Sequence, residues 1–134
     1  HLHTLQRHQV EHTTSDLLFK GALKGKSRSV WQGMIYVAPG AQKTDGYQAN
    51  RNLVLSEGAR ADSIPGLEIL ADDVRCTHGA TGGKLEAEPL FYLKSRGIPQ
   101  NEAEKIVVEG FFDPIFQRIP FEGVRERFQQ YCPL

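Results

Sequence analysis

The sequence predicts a mainly β fold with a C-terminal α part, in which coils of a β-solenoid precede a small helical subdomain. Short apolar runs of strand length recur through the first half, separated by polar stretches rich in turn-forming residues. Two of these runs are followed by the same dipeptide, at Gly40-Ala41 and Gly58-Ala59. Beyond residue 85 the apolar residues fall at helical spacing instead.

Four apolar runs are the predicted strands, at residues 17–19, 34–37, 53–55 and 67–70. Their starts are 17, 19 and 14 positions apart, a nearly constant spacing that indicates one strand per structural repeat. A β-sandwich is the alternative, because it also consists of short strands and turns, but its strands usually recur every 8–12 residues or so. The wider spacing favours the β-solenoid.

Helices are predicted over about residues 86–96, 100–112 and 121–131. The first should end at Arg96-Gly97, where a basic last turn is followed by a glycine. Asp113-Pro114 has the pattern of an N-cap followed by proline at the first helical position, so a further helix is expected to begin there. The predicted division is therefore β-solenoid coils over 1–84 and a helical subdomain over 85–134.

The composition is that of an ordinary globular protein. Sixteen basic and sixteen acidic side chains cancel, so no net field attracts nucleic acid or a membrane surface, and no apolar run approaches the ~20 residues of a membrane span. The two cysteines, Cys76 and Cys132, form no CxxC motif, and no signal peptide is evident, which favours a reducing cytoplasm. Because the chain starts at His1 without methionine, it is interpreted as a fragment of a longer protein.

The chemically richest stretch covers residues 71–85 and reads ADDVRCTHGATGGKL. If it is a strand, alternate residues share a face, so Cys76 and His78 project side by side. A thiolate and an imidazole suit iron or zinc. Structural zinc takes four ligands, and iron–sulfur clusters usually take four thiolates. Any metal bound here therefore needs further ligands from another chain or from a dynamic site.

Other interpretations of this stretch remain open. Cys76 can simply be a small buried hydrophobic residue. A Cys–His nucleophilic dyad is disfavoured, because neighbours at i and i+2 seldom align and no orienting third group is evident. A metal-binding tract at the start of the chain is also disfavoured, since the spacing matches no single helix or strand face for its histidines, His1, His3, His8 and His12.

Three segments in order resemble one protein family. They are SDLLFKGALKGKSRSVWQGMIYVAPGAQKTDGYQANRNLVLS, GLEILADDVRCTHGATGGKL and LFYLKSRGI, and the similarity runs from about His3 to Phe121. They look like the C-terminal portion of the SufB/SufD family, the scaffold subunits of the SUF iron–sulfur cluster assembly machinery. The resemblance implies a right-handed parallel β-helix followed by a helical subdomain, on which an ABC-type ATPase subunit docks. No G-x-x-x-x-G-K-[ST] loop occurs, so the nucleotide is expected on that partner.

Within the family, the chain resembles the D-type subunit. The D-type pattern Cys-Ser-His-Gly-Ala-Thr is matched from Cys76 onwards, with Thr77 in place of the serine. Residues 55–65 lack the cysteine of the B-type subunit, and Gly79 stands where the B-type has glutamate. The resemblance implies that His78, and less surely Cys76, lies at the interface with the B-type paralogue. A transient, shared iron–sulfur cluster is expected there. Gly82-Gly83 departs from the family's usual β-branched residue before glycine.

The predicted function is that of a non-catalytic scaffold subunit, which pairs with its B-type paralogue through the β-helix and with the ATPase through the helices. Consecutive aromatic residues cannot share one helix face, so at least one of the pair at 111–112 is expected to face a partner. The candidate partner-binding residues are Phe91, Arg96, Phe111 and Phe112. Because a truncated solenoid exposes strand edges, self-association into a homo-oligomer is also expected.

The alternative function is that of a β-helix enzyme, an acyltransferase or a carbohydrate-active enzyme using a histidine base. An acyltransferase of this class should show a six-residue aliphatic-glycine repeat, which the sequence lacks. A carbohydrate-active enzyme should present paired acids, but Asp72 and Asp73 point to opposite faces of a strand. Both observations favour the scaffold.

Overall fold

The computed structural model describes residues 1–85 and 87–130. Six strands come first and three helices follow. The strands are β1 (Leu2–His8), β2 (Thr14–Leu23), β3 (Arg28–Val37), β4 (Asp45–Val54), β5 (Arg60–Ile69) and β6 (Arg75–Lys84). The helices are α1 (Ala87–Ser95), α2 (Gln100–Phe116) and α3 (Glu122–Gln130).

The strands form two parallel three-stranded sheets, with the orders β1-β3-β5 and β2-β4-β6. Consecutive strands belong to different sheets, and each strand pairs with the strand two places along the chain. In the first sheet Leu2 lies opposite Trp31, and in the second Asp45 lies between Thr14 and Arg75. Long parallel connections of this kind are needed because a tight hairpin can join only antiparallel strands.

The predicted right-handed parallel β-helix is wrong. The described strands make two separate three-stranded parallel sheets, accompanied by three helices. The prediction failed because it took the spacing of the apolar runs as one strand per repeat. Successive runs instead alternate between two sheets, and partners in a ladder are separated by an entire intervening strand. Periodicity reports where strands are, but it does not report which strands pair.

The core of the strand region is centred on β3. Trp31, Ile35 and Val37 are fully buried, and Gly33 lies between them on the same face because strand side chains alternate. Ala41 packs beside Ile35 and Val37 in one apolar cluster. Full burial of such side chains contributes roughly 1.5–3 kcal/mol each to folding.

The interior is also polar along β4. Gln48, Asn50 and Asn52 alternate along that strand and are all buried. The Gln48 side-chain N–H donates to the backbone oxygen of Gly66 at 3.1 Å, and Asn50 donates to the hydroxyl of Ser63 at 2.8 Å. Both acceptors lie on β5, so these amides link the two sheets as well as satisfying buried polar groups.

The first helix ends as the sequence predicts. Gly97 has a φ of 85°, the left-handed conformation that glycine adopts without strain. The N–H of Ile98 donates to the oxygen of Leu93 at 3.2 Å, and that of Gly97 to Lys94 at 3.0 Å. This pair of hydrogen bonds is a Schellman cap. The predicted start at Glu86 lies outside the described residues.

The prediction of a new helix at Asp113-Pro114 is wrong. The second helix continues through both residues to Phe116, with Pro114 inside it. Proline lacks an N–H and therefore removes one hydrogen bond to the preceding turn. Near the end of a helix that single loss is tolerated, and the N–H of Gln117 still donates to Asp113. The predicted end of the last helix, at Tyr131, lies outside the described residues.

Contacts between Cα atoms divide the chain into two compact units, His1–Lys84 and Leu85–Leu134. The first contains all six described strands, and the second contains the three described helices. Within the described residues no helix is long and apolar enough to cross a membrane.

Candidate functional site

Cys76 and His78 lie on β6, the edge strand of the second sheet. Cys76 is in register with Gly46, and His78 is in register with Gln48. Both β4 partners are buried, so this side of β6 continues the inward face of the sheet. The predicted shared face of Cys76 and His78 is therefore confirmed by the strand register.

The thiol of Cys76 is half-buried against the apolar cluster of the first unit. A side chain on Gly46 would approach the Cys76 Sγ to 3.3 Å, the Ile35 Cγ2 to 3.3 Å and the His8 Nε2 to 3.5 Å. Because Gly46 has no side chain, the thiol packs closely over its backbone. Cys76 thus packs against Gly46 of the neighbouring strand, β4.

Burial raises the pKa of the Cys76 thiol. A backbone hydrogen bond at Gly46 partly offsets this effect, and the charge of Asp45 adds to it. The thiol therefore keeps its proton at neutral pH. A thiophilic metal would have to displace that proton, because only the thiolate is a strong ligand.

His78 is exposed, although Gln48 beside it is fully buried. The difference arises because no described strand lies on the outer side of β6. One thiol and one imidazole suit iron chemically, but they supply only two ligands. No group of three or more His, Cys, Asp or Glu side chains able to hold a metal occurs among residues 1–85 and 87–130. Cys132 lies outside these ranges.

An ion pair anchors the start of β6. The Arg75 guanidinium donates to both carboxylate oxygens of Asp45 on β4, with the Nε–Oδ1 distance at 3.2 Å. The hydrogen bond from Arg75 lowers the pKa of Asp45, and the charge of Arg75 lowers it further, although desolvation opposes both. This pair fixes the strand end directly beside Cys76.

The Asp45–Arg75 pair predicts a pH-dependent stability. The carboxyl pKa is lower in the folded state, so its stabilising contribution is present above the unfolded value of about 4 and disappears as pH falls through the folded value. We expect Asp45→Asn to lower the Tm at pH ~7 and to have no effect well below pH ~4. Thermal unfolding followed by circular dichroism across this range tests it. Arg75→Gln should flatten the same pH dependence, and a difference independent of pH would contradict the prediction.

Sequence reasoning missed the environment of His8. This imidazole is 4% exposed, with Nδ1 2.6 Å from the Thr13 hydroxyl and Nε2 2.8 Å from the Ser15 hydroxyl. The Gln6 amide also donates to Ser15, at 2.6 Å. The signal was present in the sequence, because Thr4, Gln6 and His8 alternate as they would on one strand face. His8 is therefore a buried histidine with both ring nitrogens within hydrogen-bond distance of hydroxyl groups.

Comparison with known proteins adds the identity of the family. A family model described as "SUF system FeS cluster assembly, SufBD core domain" matches residues 1–111. The chain belongs to this family. The resemblance found in the sequence is thereby confirmed.

Several curated relatives resemble this SufBD family chain. The iron–sulfur cluster assembly protein SufD of Escherichia coli K12 is 40% identical over 124 residues, covering 92% of the chain and 29% of the relative. SufD of Bacillus subtilis 168 is 40% identical over 111 residues, covering 83% and 25%. A SufBD family protein of Mycobacterium bovis is 46% identical over 121 residues, covering 84% and 30%. The chain thus spans less than a third of the length of these relatives.

The candidate partner-binding residues of this SufBD family chain lie in the helical unit. Phe91, on α1, is 75% exposed. The Arg96 guanidinium lies 5.2 Å from the centre of the Tyr92 ring, a cation–π contact. Phe111 and Phe112 are both half-buried on α2, with ring centres 5.2 Å apart in an edge-to-face arrangement. Phe91 is therefore the most accessible of the three predicted phenylalanines.

Proposed function

We propose that this chain is part of a D-type scaffold subunit that holds an iron–sulfur cluster transiently during SUF-dependent assembly, without catalysing a reaction itself. The observation that carries the proposal is the pairing of Cys76 and His78 on one face of an edge strand. Membership of the SufBD family and the similarity to SufD support it. The cluster is the cargo of this site.

The proposed site is shared between two chains. Two protein ligands do not complete an iron–sulfur centre, which usually has four. The exposed imidazole of His78 is open to a second chain, whereas the half-buried Cys76 is held against the core. We assign the missing ligands to the B-type paralogue, which would approach the free edge of β6. The free thiol is consistent with assembly in the cytoplasm, where cysteines stay reduced.

The helical unit is the proposed docking surface for an ABC-type ATPase. The Phe91 ring borders a shallow groove of about 280 Å³, whose other lining residues include Leu90, Lys94 and Gln100. An exposed aromatic ring beside a groove is typical of an interface anchor. Arg96 and Tyr92, stacked on each other, extend this surface with a cation and a second exposed ring.

Replacing His78 tests the shared site. In anaerobic reconstitution with the B-type paralogue and the ATPase, we expect His78→Ala to lower the amount of assembled cluster at least about tenfold, since even mutation of an outer-shell partner of a metal ligand typically costs about 10–100-fold in metal affinity or activity. Mössbauer and absorption spectra of the isolated complex measure the cluster. His12→Ala is the matched control, because His12 is also exposed but precedes β2. Unchanged assembly with intact complex formation would remove His78 from this role.

Replacing Phe91 tests the docking surface. We expect Phe91→Ala to raise the Kd for the ATPase about tenfold or more, as truncation of an interface anchor costs ~2 kcal/mol. Isothermal titration calorimetry with the complete scaffold measures the Kd. Phe121→Ala is the matched control, since Phe121 is also an exposed ring, at 69%, but lies between α2 and α3. Equal affinity for wild type and Phe91→Ala would place the ATPase elsewhere.

A further inference from the structure

Positive side chains of the strand unit gather at one end of its strands. Because β2 and β4 end where β3 and β5 begin, residues 20–28 and 51–62 meet at this end, here called the basic end. The N–H of Gly25 donates to the Ser56 hydroxyl at 2.9 Å, which holds the two turns together. The basic end carries six cations, Lys20, Lys24, Lys26, Arg28, Arg51 and Arg60, and two carboxylates, Glu57 and Asp62.

Negative side chains gather at the opposite end of the same strands, here called the acidic end. It consists of residues 7–16, 36–45 and 68–75. Lys43 and Arg75 each pair with one carboxylate there, so carboxylates remain in excess. The acidic end carries six carboxylates, Glu11, Asp16, Asp45, Glu68, Asp72 and Asp73, and three cations, Arg7, Lys43 and Arg75.

The fold places cations of the basic end directly opposite each other. Arg28 on β3 is the register partner of Arg60 on β5, and Lys20 on β2 is the register partner of Arg51 on β4. Like charges in such positions destabilise a sheet. Asp62 offsets the repulsion between the two arginines, because it accepts from the Arg28 Nη2 at 2.9 Å and from the Arg60 Nε at 2.8 Å. Retaining this excess charge at a cost in stability is typical of a binding surface.

The two ends are too far apart to neutralise each other within one chain. Strands β2 and β4 have ten residues each, which span about 33 Å. Salt at physiological concentration screens charges over ~8 Å. Among the described residues, Lys24 and Lys26 of the basic end and Glu11 and Asp72 of the acidic end are exposed and form no ion pair.

We propose that the basic end of one chain binds the acidic end of a second copy. Charge complementarity selects this occupant, because the acidic end offers the excess of carboxylates that the basic end lacks. The contact is head-to-tail, so each chain uses a different surface on either side and association can continue beyond a dimer. Since the unpaired charges lie in turns, this contact differs from the free edge of β6 that we assign to the paralogue.

The salt dependence of self-association tests this inference. In sedimentation equilibrium over a rising concentration series, we expect the weight-average mass at ~50 mM salt to reach at least about twice that of one chain. It should fall towards the mass of one chain at ~500 mM salt, because exposed ion pairs are screened. A single chain at both salt concentrations would overturn the proposal. So would association that salt does not weaken, which is expected of strand-edge pairing.

Charge-reversal variants identify the two surfaces. Lys24→Glu/Lys26→Glu removes the positive excess of the basic end, and Glu11→Lys/Asp72→Lys removes the negative excess of the acidic end. Each variant alone should lose the association. An equal mixture should form a complex of two chains, because the intact acidic end of the first variant binds the intact basic end of the second. Association of either variant alone, or none in the mixture, would contradict the proposal.

Lys94→Glu/Lys105→Glu is the matched control. It changes the net charge by the same amount as Lys24→Glu/Lys26→Glu, but both residues are exposed on helices rather than at the basic end. It should retain the association of the wild type. If the wild type remained a single chain and Lys24→Glu/Lys26→Glu weakened binding to the B-type paralogue instead, the basic end would belong to that interface and the proposal would be wrong.

Discussion

Replacing Trp31 with alanine is expected to lower the free energy of unfolding by about 4 kcal/mol, among the largest losses for any single side chain of this protein. Trp31 is fully buried on β3, so its removal forfeits the burial of the whole indole and leaves a cavity that the sheets cannot close. Urea unfolding followed by far-ultraviolet circular dichroism is the appropriate measurement, because this is the only tryptophan and its fluorescence disappears with it.

Phe19→Ala is the matched comparison for Trp31→Ala. The two rings are neighbours, with centres 6.5 Å apart, but Phe19 is only half-buried. Its truncation should cost about 2 kcal/mol, because less apolar area is removed from contact. If Phe19→Ala destabilised the protein more than Trp31→Ala, the centre of the core would lie elsewhere than on β3.

Replacing Gly33 with alanine is expected to cost about 3 kcal/mol, although it adds a single methyl group. The new Cβ would overlap the Trp31 ring, so this fully buried ring would have to shift to accommodate it. Gly82→Ala is the control. Gly82 also lies in a strand, β6, but a Cβ there would meet no atom within 4 Å. It should therefore leave the free energy of unfolding unchanged or raise it slightly.

The double variant Trp31→Ala/Gly33→Ala tests the cause of the Gly33 effect. If the clash with the indole is responsible, removing the indole should relieve it. The double variant should then lose less free energy of unfolding than the two single variants together, by about 1 kcal/mol or more. Additive losses would show that Gly33→Ala acts through the backbone and would contradict the overlap as its origin.

The strand positions could be predicted, but the sheets could not. Each of the four apolar runs overlaps an observed strand: those at residues 17–19 and 34–37 lie wholly inside one, and those at 53–55 and 67–70 extend one residue past its end. The position of a strand can be predicted locally, because the alternation of its side chains and the turns at its ends depend on residues that are adjacent in the sequence. Pairing of Leu2 with Trp31, by contrast, joins residues on either side of a whole intervening strand. The error of the β-helix prediction arose at this step.

In the candidate site, too, one feature could be predicted from the sequence and another could not. The shared face of Cys76 and His78 follows from their spacing of two, and the register confirms it. Their unequal exposure does not follow from spacing, because it depends on the cluster packed around Cys76 and on the free edge beside His78. The burial of Gln48 was similarly unpredictable by residue type, since glutamine is mostly exposed in proteins.

The helical unit shows where a strong local rule is overruled. Asp113-Pro114 carries a helix-start signal, yet α2 runs through it to Phe116. An N-cap contributes about 1 kcal/mol. Extending a helix whose turns have already formed before Asp113 can contribute more than that, so the helix continues. At Gly97 no competing helix exists, so the local stop signal operates and the predicted cap forms.

By itself, then, the sequence determined the family, the positions of most strands, the helical character of the second half and the common face of Cys76 and His78. These are properties of adjacent residues or of motifs in order. Only the tertiary structure decided which strands pair, that Gln48 and His8 are buried, and that His78 remains exposed. The physical reason is that burial and pairing depend on side chains brought together from distant parts of the chain, which no local preference encodes.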